Sequence, residues 1–449
     1  MMSSSCRIGL VQLTCTSDKL RNRETCQRLL SKAKDYGATC AFLPEGFDFI
    51  GESAKQTAEL AEPLDQPNGT IAFYQKLAVE LGLTLSLGGF HEKRSDSEKL
   101  SNSHVLISSS GKIQAVYRKM HLFDVEIPDR GLRLKESDYV LAGKEIVKPV
   151  KLFEDFKLGL SICYDLRFPE VGLALRRQGA NILTFPSAFT VTTGAAGHWF
   201  SLLKARAIET QSYVIAAAQT GTHNRKRSSF GHSCVIDPWG TVIAECPEGE
   251  NVAVAELDMT RIEQVRQNMP TESHRRHDIY GLSVKNEFSV GDVDLDTTQF
   301  NFGQFQNSGR CIIFQSRKSF VLVNKKPVVP GHLLAIPKRN SALRLSDLTP
   351  DEIQDLFMTV QEAQKLTESF HSATSSTVSI QDGPDAGQTV THVHVHVLPR
   401  KPGDFARNDD IYDELQTHDK GDDVKWRSED EMAAESALLR AHYEKLFMN

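Results

Sequence analysis

The sequence predicts two units: a large layered α/β domain, followed by a small α+β domain. Three observations carry this reading. Apolar strand-like runs alternate with helical stripes from about residue 7 to residue 280. The alternation lapses in an acidic stretch between about 281 and 300. Beyond it, short strands surround one long helix. A chain of 449 residues also suits two ordinary domains.

In the first unit, residues 7–13 read as a buried strand. Cys26, Leu29, Leu30 and Ala33 share one stripe of the helix that follows. Next come the apolar run 40–43, a helix near 70–82, and strands near 83–90, 103–109 and 113–118. Later strands are expected at 158–163, 181–185, 214–218 and 252–257, with a helix around 199–210. Strands interleaved with helices call for sheets covered by helices, and this many strands suit two sheets. We place the first domain at 6–285 and the second at 298–449.

In the second unit, residues 312–315, 320–323 and 333–336 read as short strands. Thr349, Pro350 and Glu352 form a helix start: a cap, a first-turn proline and a capping box. The expected apolar face is Ile353, Leu356, Phe357 and Val360. Strands follow at 378–381 and 392–398. Residues 401–427 are polar and acid-rich and read as a mobile loop. A last helix starts at Ser428, with Glu431 three residues later.

Composition excludes several classes. Hydrophobic residues make up 40% and charged residues 24%, which is globular. A net charge of -6 gives no general pull toward nucleic acid or anionic membranes. No run of about 18 apolar residues exists, and the first residues lack the pattern of a signal peptide. The eight cysteines never form C-x-x-C, so reduced thiols and a cytoplasmic setting are expected.

Cys163 follows an apolar strand and precedes a turn into a helix, where a helix N-terminus favours thiolate. Taken alone, it fits an inert buried thiol better. Glu45, in Pro44-Glu45, and Lys119, in Arg118-Lys119-Met120-His121-Leu122, also follow strands. Each alone suits a solvated strand end. Together, a carboxylate, a lysine and a cysteine at three strand ends have the parts for acyl transfer. Arg225-Lys226-Arg227 and Arg275-Arg276 suit either carboxylate recognition or solvated surface.

These segments, with Cys163-Tyr164-Asp165-Leu166-Arg167-Phe168-Pro169-Glu170, resemble the signatures of the carbon–nitrogen hydrolase (nitrilase) superfamily over about 6–280. The resemblance implies an αββα sandwich and assembly by sheet-to-sheet pairing. It implies Glu45 as general base, Lys119 as oxyanion stabiliser and Cys163 as the nucleophile that forms a thioester. Glu136 matches a second glutamate of the family. Similarity to omega-amidase-like proteins and amidases of deaminated glutathione implies a small amide substrate.

His392, His394 and His396 alternate with Val393, Val395 and Val397, so a strand would put the histidines on one face and the valines in the core. Same-face neighbours on a strand stand about 6.6–6.8 Å apart. Zinc–nitrogen bonds span only about 2.0–2.1 Å, so a straight strand offers one ion two of the three at best. A structural row and a metal site remain readings beside a nucleophilic His394 flanked by phosphate donors. Gly383-Pro384-Asp385-Ala386-Gly387-Gln388-Thr389 precedes the triad; glycines allow close backbone approach, and Gln388 and Thr389 can donate to phosphate.

The His-φ-His-φ-His-φ-φ pattern resembles the histidine triad superfamily over about 300–449. Residues 322–332, 381–384 and 396–400 are similar to its fragile histidine triad branch. The resemblance implies an antiparallel sheet and a nucleotidyl intermediate on His394. It further implies nucleotide contacts from Asn324, His332, Gln381, Gly387, Gln388, Thr389, Val390, His392 and His396. The implied reaction converts diadenosine triphosphate to AMP and ADP, with Mg or Mn accompanying the polyphosphate. No protein-held metal and no organic cofactor are implied. Tyr412 resembles a phosphorylated tyrosine of that branch.

The two families in this order form one known fused architecture. It implies a bifunctional hydrolase of small molecules, working as a homo-oligomer, dimer or tetramer. The rival reading is a dinucleotide sensor on an oligomerisation scaffold.

Overall fold

Two six-stranded sheets organise the first unit. The computed structural model describes residues 5–127, 132–153, 155–276, 279–282, 295, 297–417 and 426–447. The chain divides into compact units 1–275 and 276–449. The acidic stretch expected to join them lies almost wholly outside the described residues.

One sheet orders its strands Asn251–Asp258, Ser5–Gln12, Cys40–Leu43, Thr84–Glu92, Ser101–Ile107 and Ile113–Arg118. The other orders Val242–Glu245, Cys234–Ile236, Tyr213–Ala216, Ile182–Thr184, Phe156–Gly159 and Val150–Phe153. Side-chain alternation builds the layers. Ile8, Leu10 and Phe42 meet Leu158, Ile182 and Ile215 between the sheets. Val11, Ala41 and Leu43 point the other way, onto Cys26, Leu29, Leu30 and Leu77 of helices Lys19–Asp35 and Thr70–Leu81. Leu183 and Val214 pack on Leu175, Trp199 and Leu203 of helices Pro169–Arg177 and His198–Thr210. The layers are helix, sheet, sheet, helix. Strands covered on both faces explain why runs such as Cys40–Leu43 are apolar throughout.

The second unit holds a five-stranded antiparallel sheet. Its order is Ile312–Gln315, Ser319–Val323, Leu333–Pro337, Val395–Arg400 and Ser375–Ser379. Helices Pro350–His371 and Glu429–Phe447 bury its apolar face. Both start on reciprocal capping boxes. The Glu352 N–H donates to Thr349 Oγ1 at 3.3 Å, and the Thr349 N–H to the Glu352 carboxylate at 2.9 Å. Ser428 and Glu431 repeat this at 3.2 and 2.7 Å.

Four expectations need correction. The buried stripe of Pro350–His371 runs through Glu352, Leu356, Val360, Ala363 and Leu366, while Ile353 and Phe357 are 38% and 43% exposed. Glu352 is anchored by Arg339 at 2.7 and 2.8 Å, which turns the helix one position from the expected face. The strand expected at 158–163 pairs only as Phe156–Gly159. The strand expected at 392–398 pairs as Val395–Arg400. In both places the chain leaves the ladder where it presents Cys163 or His394. The acidic segment 401–427 contains a helix, Asp410–Thr417, whose Ile411 and Leu415 pack against Leu398. Tyr412 lies on that helix, 51% exposed. Among the described residues, no helix is long and apolar enough to cross a membrane.

The corrected stripe predicts unequal effects. Leu356→Ala should cost about 2–5 kcal/mol as a buried deletion. Ile353→Ala should cost within about 0.5 kcal/mol as a surface change. Urea unfolding of the full chain, followed through Trp426, the one tryptophan of the second unit, checks the difference.

Candidate active sites

The first site forms where three strands end on the same edge of the sandwich. Glu45 follows Cys40–Leu43, Lys119 follows Ile113–Arg118, and Cys163 lies just past Phe156–Gly159. Carboxyl ends of parallel strands are where α/β sheets open crevices for ligands. Close approach is made possible at Gly89, which has φ +70°. A Cβ there would lie 2.6 Å from Glu45 Cγ and 2.8 Å from its Cα. The strand Thr84–Glu92 breaks register at this point, and the Gly46 N–H donates to the Gly89 carbonyl at 2.9 Å.

Lys119 is the hub. Its Nζ donates to Glu45 Oε1 at 2.9 Å and to Glu136 at 2.9 and 3.1 Å. The lysine side chain is 2% exposed. Glu136 is fixed further by the Phe123 N–H at 2.8 Å, and Glu45 Oε2 by the Ala188 N–H at 3.0 Å. Burial alone would raise the Glu45 carboxyl. The Lys119 ammonium, the Arg227 guanidinium and hydrogen bonds from Lys119 and Cys163 outweigh it and hold Glu45 at about 2. Burial alone would lower Lys119, but the two carboxylates push it well above its ordinary value.

At Cys163 a helix N-terminus would favour thiolate, and a neighbouring carboxylate would favour thiol. The Cys163 thiol is pushed up, first by burial and then by the Glu45 charge, with Lys119 opposing. Burial and the Glu45 charge both favour the protonated thiol over the thiolate. The following turn, Cys163–Arg167, is a single 3₁₀ segment. Cys163 has φ +42°, a left-handed conformation that costs a non-glycine residue of order 1–3 kcal/mol. Asp165 pins this turn. It accepts from Tyr117 Oη at 2.7 Å, the Ile162 N–H at 2.8 Å and His121 Nδ1 at 2.7 Å. His121, one of the motif residues, thereby ties the Lys119 segment to the Cys163 turn and stacks on Phe168 at 3.8 Å. Arg227 is exposed, yet its charge reaches Glu45 and Tyr139, whereas Arg275 pairs with Glu272 at 2.8 Å.

The second site fixes proton positions instead of charges. His394 Nδ1 lies 2.8 Å from the His392 carbonyl oxygen. A carbonyl only accepts, so the proton sits on Nδ1 and the lone pair on Nε2. The Val328 N–H donates to His332 Nδ1 at 3.2 Å, leaving the His332 proton on Nε2. That nitrogen meets His396 Nδ1 at 2.9 Å, so His396 accepts at Nδ1 and carries its proton on Nε2 as a donor. His392 accepts at Nδ1 from the Gly303 N–H at 3.2 Å. Burial, then the neighbouring His394, pushes His392 down to about 4, so it is neutral near pH 7. Rings of His394 and His396 stand 4.9 Å apart and edge to face. Val393, Val395 and Val397 are core residues, as alternation requires.

Around the histidines, Asn324 Nδ2 lies 3.4 Å from His332 Nδ1, the nitrogen that accepts, and its Oδ1 accepts from the Lys326 N–H at 2.9 Å. Gln381 Nε2 packs under Gly387, which has φ +90° and where a Cβ would meet it at 2.9 Å. The Gln388 amide braces its own loop, accepting from the Gly383 N–H at 2.8 Å and donating to the Leu343 carbonyl at 2.9 Å. Thr389 is exposed, and Val390 packs against the core.

The sequence reading missed two residues. Phe302 sets its ring 4.9 Å from that of His394, at the end of the hairpin Gln299–Phe302 and Phe305–Ser308. Its signal, Phe-Gly before a strand, is common. Asn102 donates to Glu45 at 2.9 Å and Glu136 at 3.3 Å. It lies in an apolar-polar strand that gives no hint of chemistry.

Comparison with known families agrees with both sites. The carbon-nitrogen hydrolase family matches residues 7–267, and the HIT domain family matches residues 306–403. The chain is therefore a carbon–nitrogen hydrolase joined to a histidine triad hydrolase. It is 45% identical to the nitrilase and fragile histidine triad fusion protein NitFhit of Caenorhabditis elegans, over 96% of each chain. The crystal structure of the C. elegans NitFhit protein matches with a TM-score of 0.86 and 42% identity, covering 98% of this chain and 100% of that one. Human deaminated glutathione amidase is 50% identical over 62% of this chain and 86% of its own length. The chain belongs to the nitrilase and fragile histidine triad fusion family, a set of bifunctional hydrolases.

The charge cluster predicts an inverted pH response. In the native chain, Glu45 is depressed, so its stabilisation is present above its ordinary value and is lost as pH falls toward about 2. Lys119→Met leaves two buried carboxylates, one of which takes a proton, with its folded value raised. Stability from that proton exists at low pH and is lost as pH rises. Lys119→Met should lose about 3–5 kcal/mol at pH 8 and recover part of it at pH 5, read by urea unfolding.

Proposed function

We propose that the first site hydrolyses a small amide through a Cys163 thioester. The observation that carries this is Glu45, a carboxylate held low beside the buried Lys119 ammonium, whose charge acts directly on the Cys163 thiol. Sulfur attacks the amide carbon as its proton passes to Glu45. The Lys119 ammonium, held between Glu45 and Glu136, stabilises the oxyanion. Glu45 returns the proton to the leaving amine and then activates the water that cleaves the thioester. Half identity to a deaminated glutathione amidase supports a deaminated glutathione-type amide as substrate.

The second site cleaves diadenosine triphosphate to AMP and ADP. His394 Nε2, its lone pair fixed by the His392 carbonyl, attacks the α-phosphorus as the Pα–O bond to ADP breaks and ADP leaves; water then cleaves the P–N bond of the nucleotidyl-histidine to release AMP. His396 offers an Nε2 donor to the phosphate through the relay from Val328 and His332. Asn324, Gln381, Gly387, Thr389 and Val390 flank the nucleotide, with Gln388 shaping their loop. Mg or Mn accompanies the polyphosphate as part of the substrate. Eight free cysteines support a reducing, cytoplasmic setting. The habit of both families supports a homo-oligomer, dimer or tetramer.

The two activities should separate cleanly. Cys163→Ala should lower amide hydrolysis by about 10⁴-fold or more, leaving dinucleotide cleavage unchanged. His394→Asn should do the reverse. Parallel assays of the full chain with both substrates check this; joint loss in a folded protein contradicts it.

A further inference from the structure

Asn102 touches both carboxylates of the first site and the backbone of Lys119, and no motif contains it. It lies in strand Ser101–Ile107 and is 7% exposed. Its Nδ2 donates to Glu45 Oε1 at 2.9 Å and to Glu136 Oε1 at 3.3 Å. Its backbone carbonyl accepts from the Lys119 N–H at 2.9 Å. One planar amide thus directs its hydrogens to two carboxylates that repel each other. A half turn would set Oδ1 against those same oxygens, so the orientation is fixed.

The other end of the amide points the same way. Oδ1 is buried with no hydrogen-bond partner among the described residues, and it faces Gly89, where a Cβ would come within 3.0 Å. A buried orphan acceptor is costly. The amide sits in this orientation because of what its donors do. Lys119 attracts both glutamates, but an ammonium on a flexible stem does not choose which oxygen faces it. The rigid amide on a strand does.

We infer that Asn102 is a positioning residue of the amidase site, holding Glu45 and Glu136 so that Glu45 receives the Cys163 proton while Lys119 faces the oxyanion. This rests on Glu45 acting as the base for Cys163. The consequence reaches the pH profile: a carboxylate that loses a donor ionises less readily.

The test needs no amide substrate. Cys163 is the one cysteine of eight with part of its surface exposed, so iodoacetamide alkylation of the full-length chain, followed by peptide mass against pH, reads its activation. In that step the S–C bond forms, iodide leaves, and the thiol proton goes to Glu45. Asn102→Ala should slow alkylation at pH 7 by about tenfold to hundredfold and move its acid limb to higher pH, the loss of one hydrogen bond to a charged group. Asn102→Ser, which keeps one donor, should fall between Ala and native. If Asn102→Ala does not fold, the isosteric Asn102→Asp carries the test: it adds a third carboxylate and should slow alkylation at least as much. A native rate and unshifted limb in Asn102→Ala, or a native rate in Asn102→Asp, overturns the inference. Glu45→Gln separates the two readings. If it alkylates at the native rate, the base assignment falls. If it is slow while Asn102→Ala is native, only the role of Asn102 falls.

Discussion

Burying one ammonium between two carboxylates governs the first domain. Lys119 meets Glu45 and Glu136 at 2.9 Å each, out of water. Desolvating three charges is expensive, and their attraction repays it only when geometry is tight and remaining donors and acceptors are filled. The fold supplies that geometry. Three strand ends converge on one edge, Gly89 lets Glu45 approach the neighbouring strand, and the Ala188 and Phe123 amides complete the carboxylates. Burial first, and then the Glu45 charge, favour the proton on Cys163, with the Lys119 ammonium opposing.

The second domain solves a related problem without buried charge. Backbone groups decide where imidazole protons rest. The His392 carbonyl holds one on His394 Nδ1, and the Val328 amide sets the relay that arms His396. Both domains place the reacting atom just outside a strand, where the chain leaves its ladder but stays anchored by it. Strained backbone at Cys163 and the break before Val395 are the local expressions of that choice.

Much of this was legible in the sequence. Apolar runs located all six strands of the first sheet and three of the second, but not Val150–Phe153, Cys234–Ile236 or Val242–Glu245, whose runs are short. The capping box at Thr349 marked its helix to the residue. Glu45, Lys119 and Cys163 each follow an apolar run, so their strand-end placement could be read, and the structure brings them together. Less legible were features set by tertiary contact. Ile353 and Phe357 belong to the apolar pattern but lie off the stripe that Glu352 and Arg339 select. The Asp410–Thr417 helix rests on two apolar residues hidden in acidic sequence. Asn102 carries no signal at all, because a polar residue in a strand is ordinary until its neighbours across the sheet are known. The Cys163 ionisation was equally hard to read, because it turns on burial and then on the facing Glu45 charge, and a short helical turn reveals neither.

The resting position of the Cys163 proton is the claim on which the rest stands. Thiolate absorbs near 240 nm and thiol does not, so a difference spectrum of the native chain against Cys163→Ala measures it directly. The account predicts no Cys163 thiolate absorbance between pH 6 and pH 9. A steady increment across that range, marking a thiolate paired with Lys119, would contradict it.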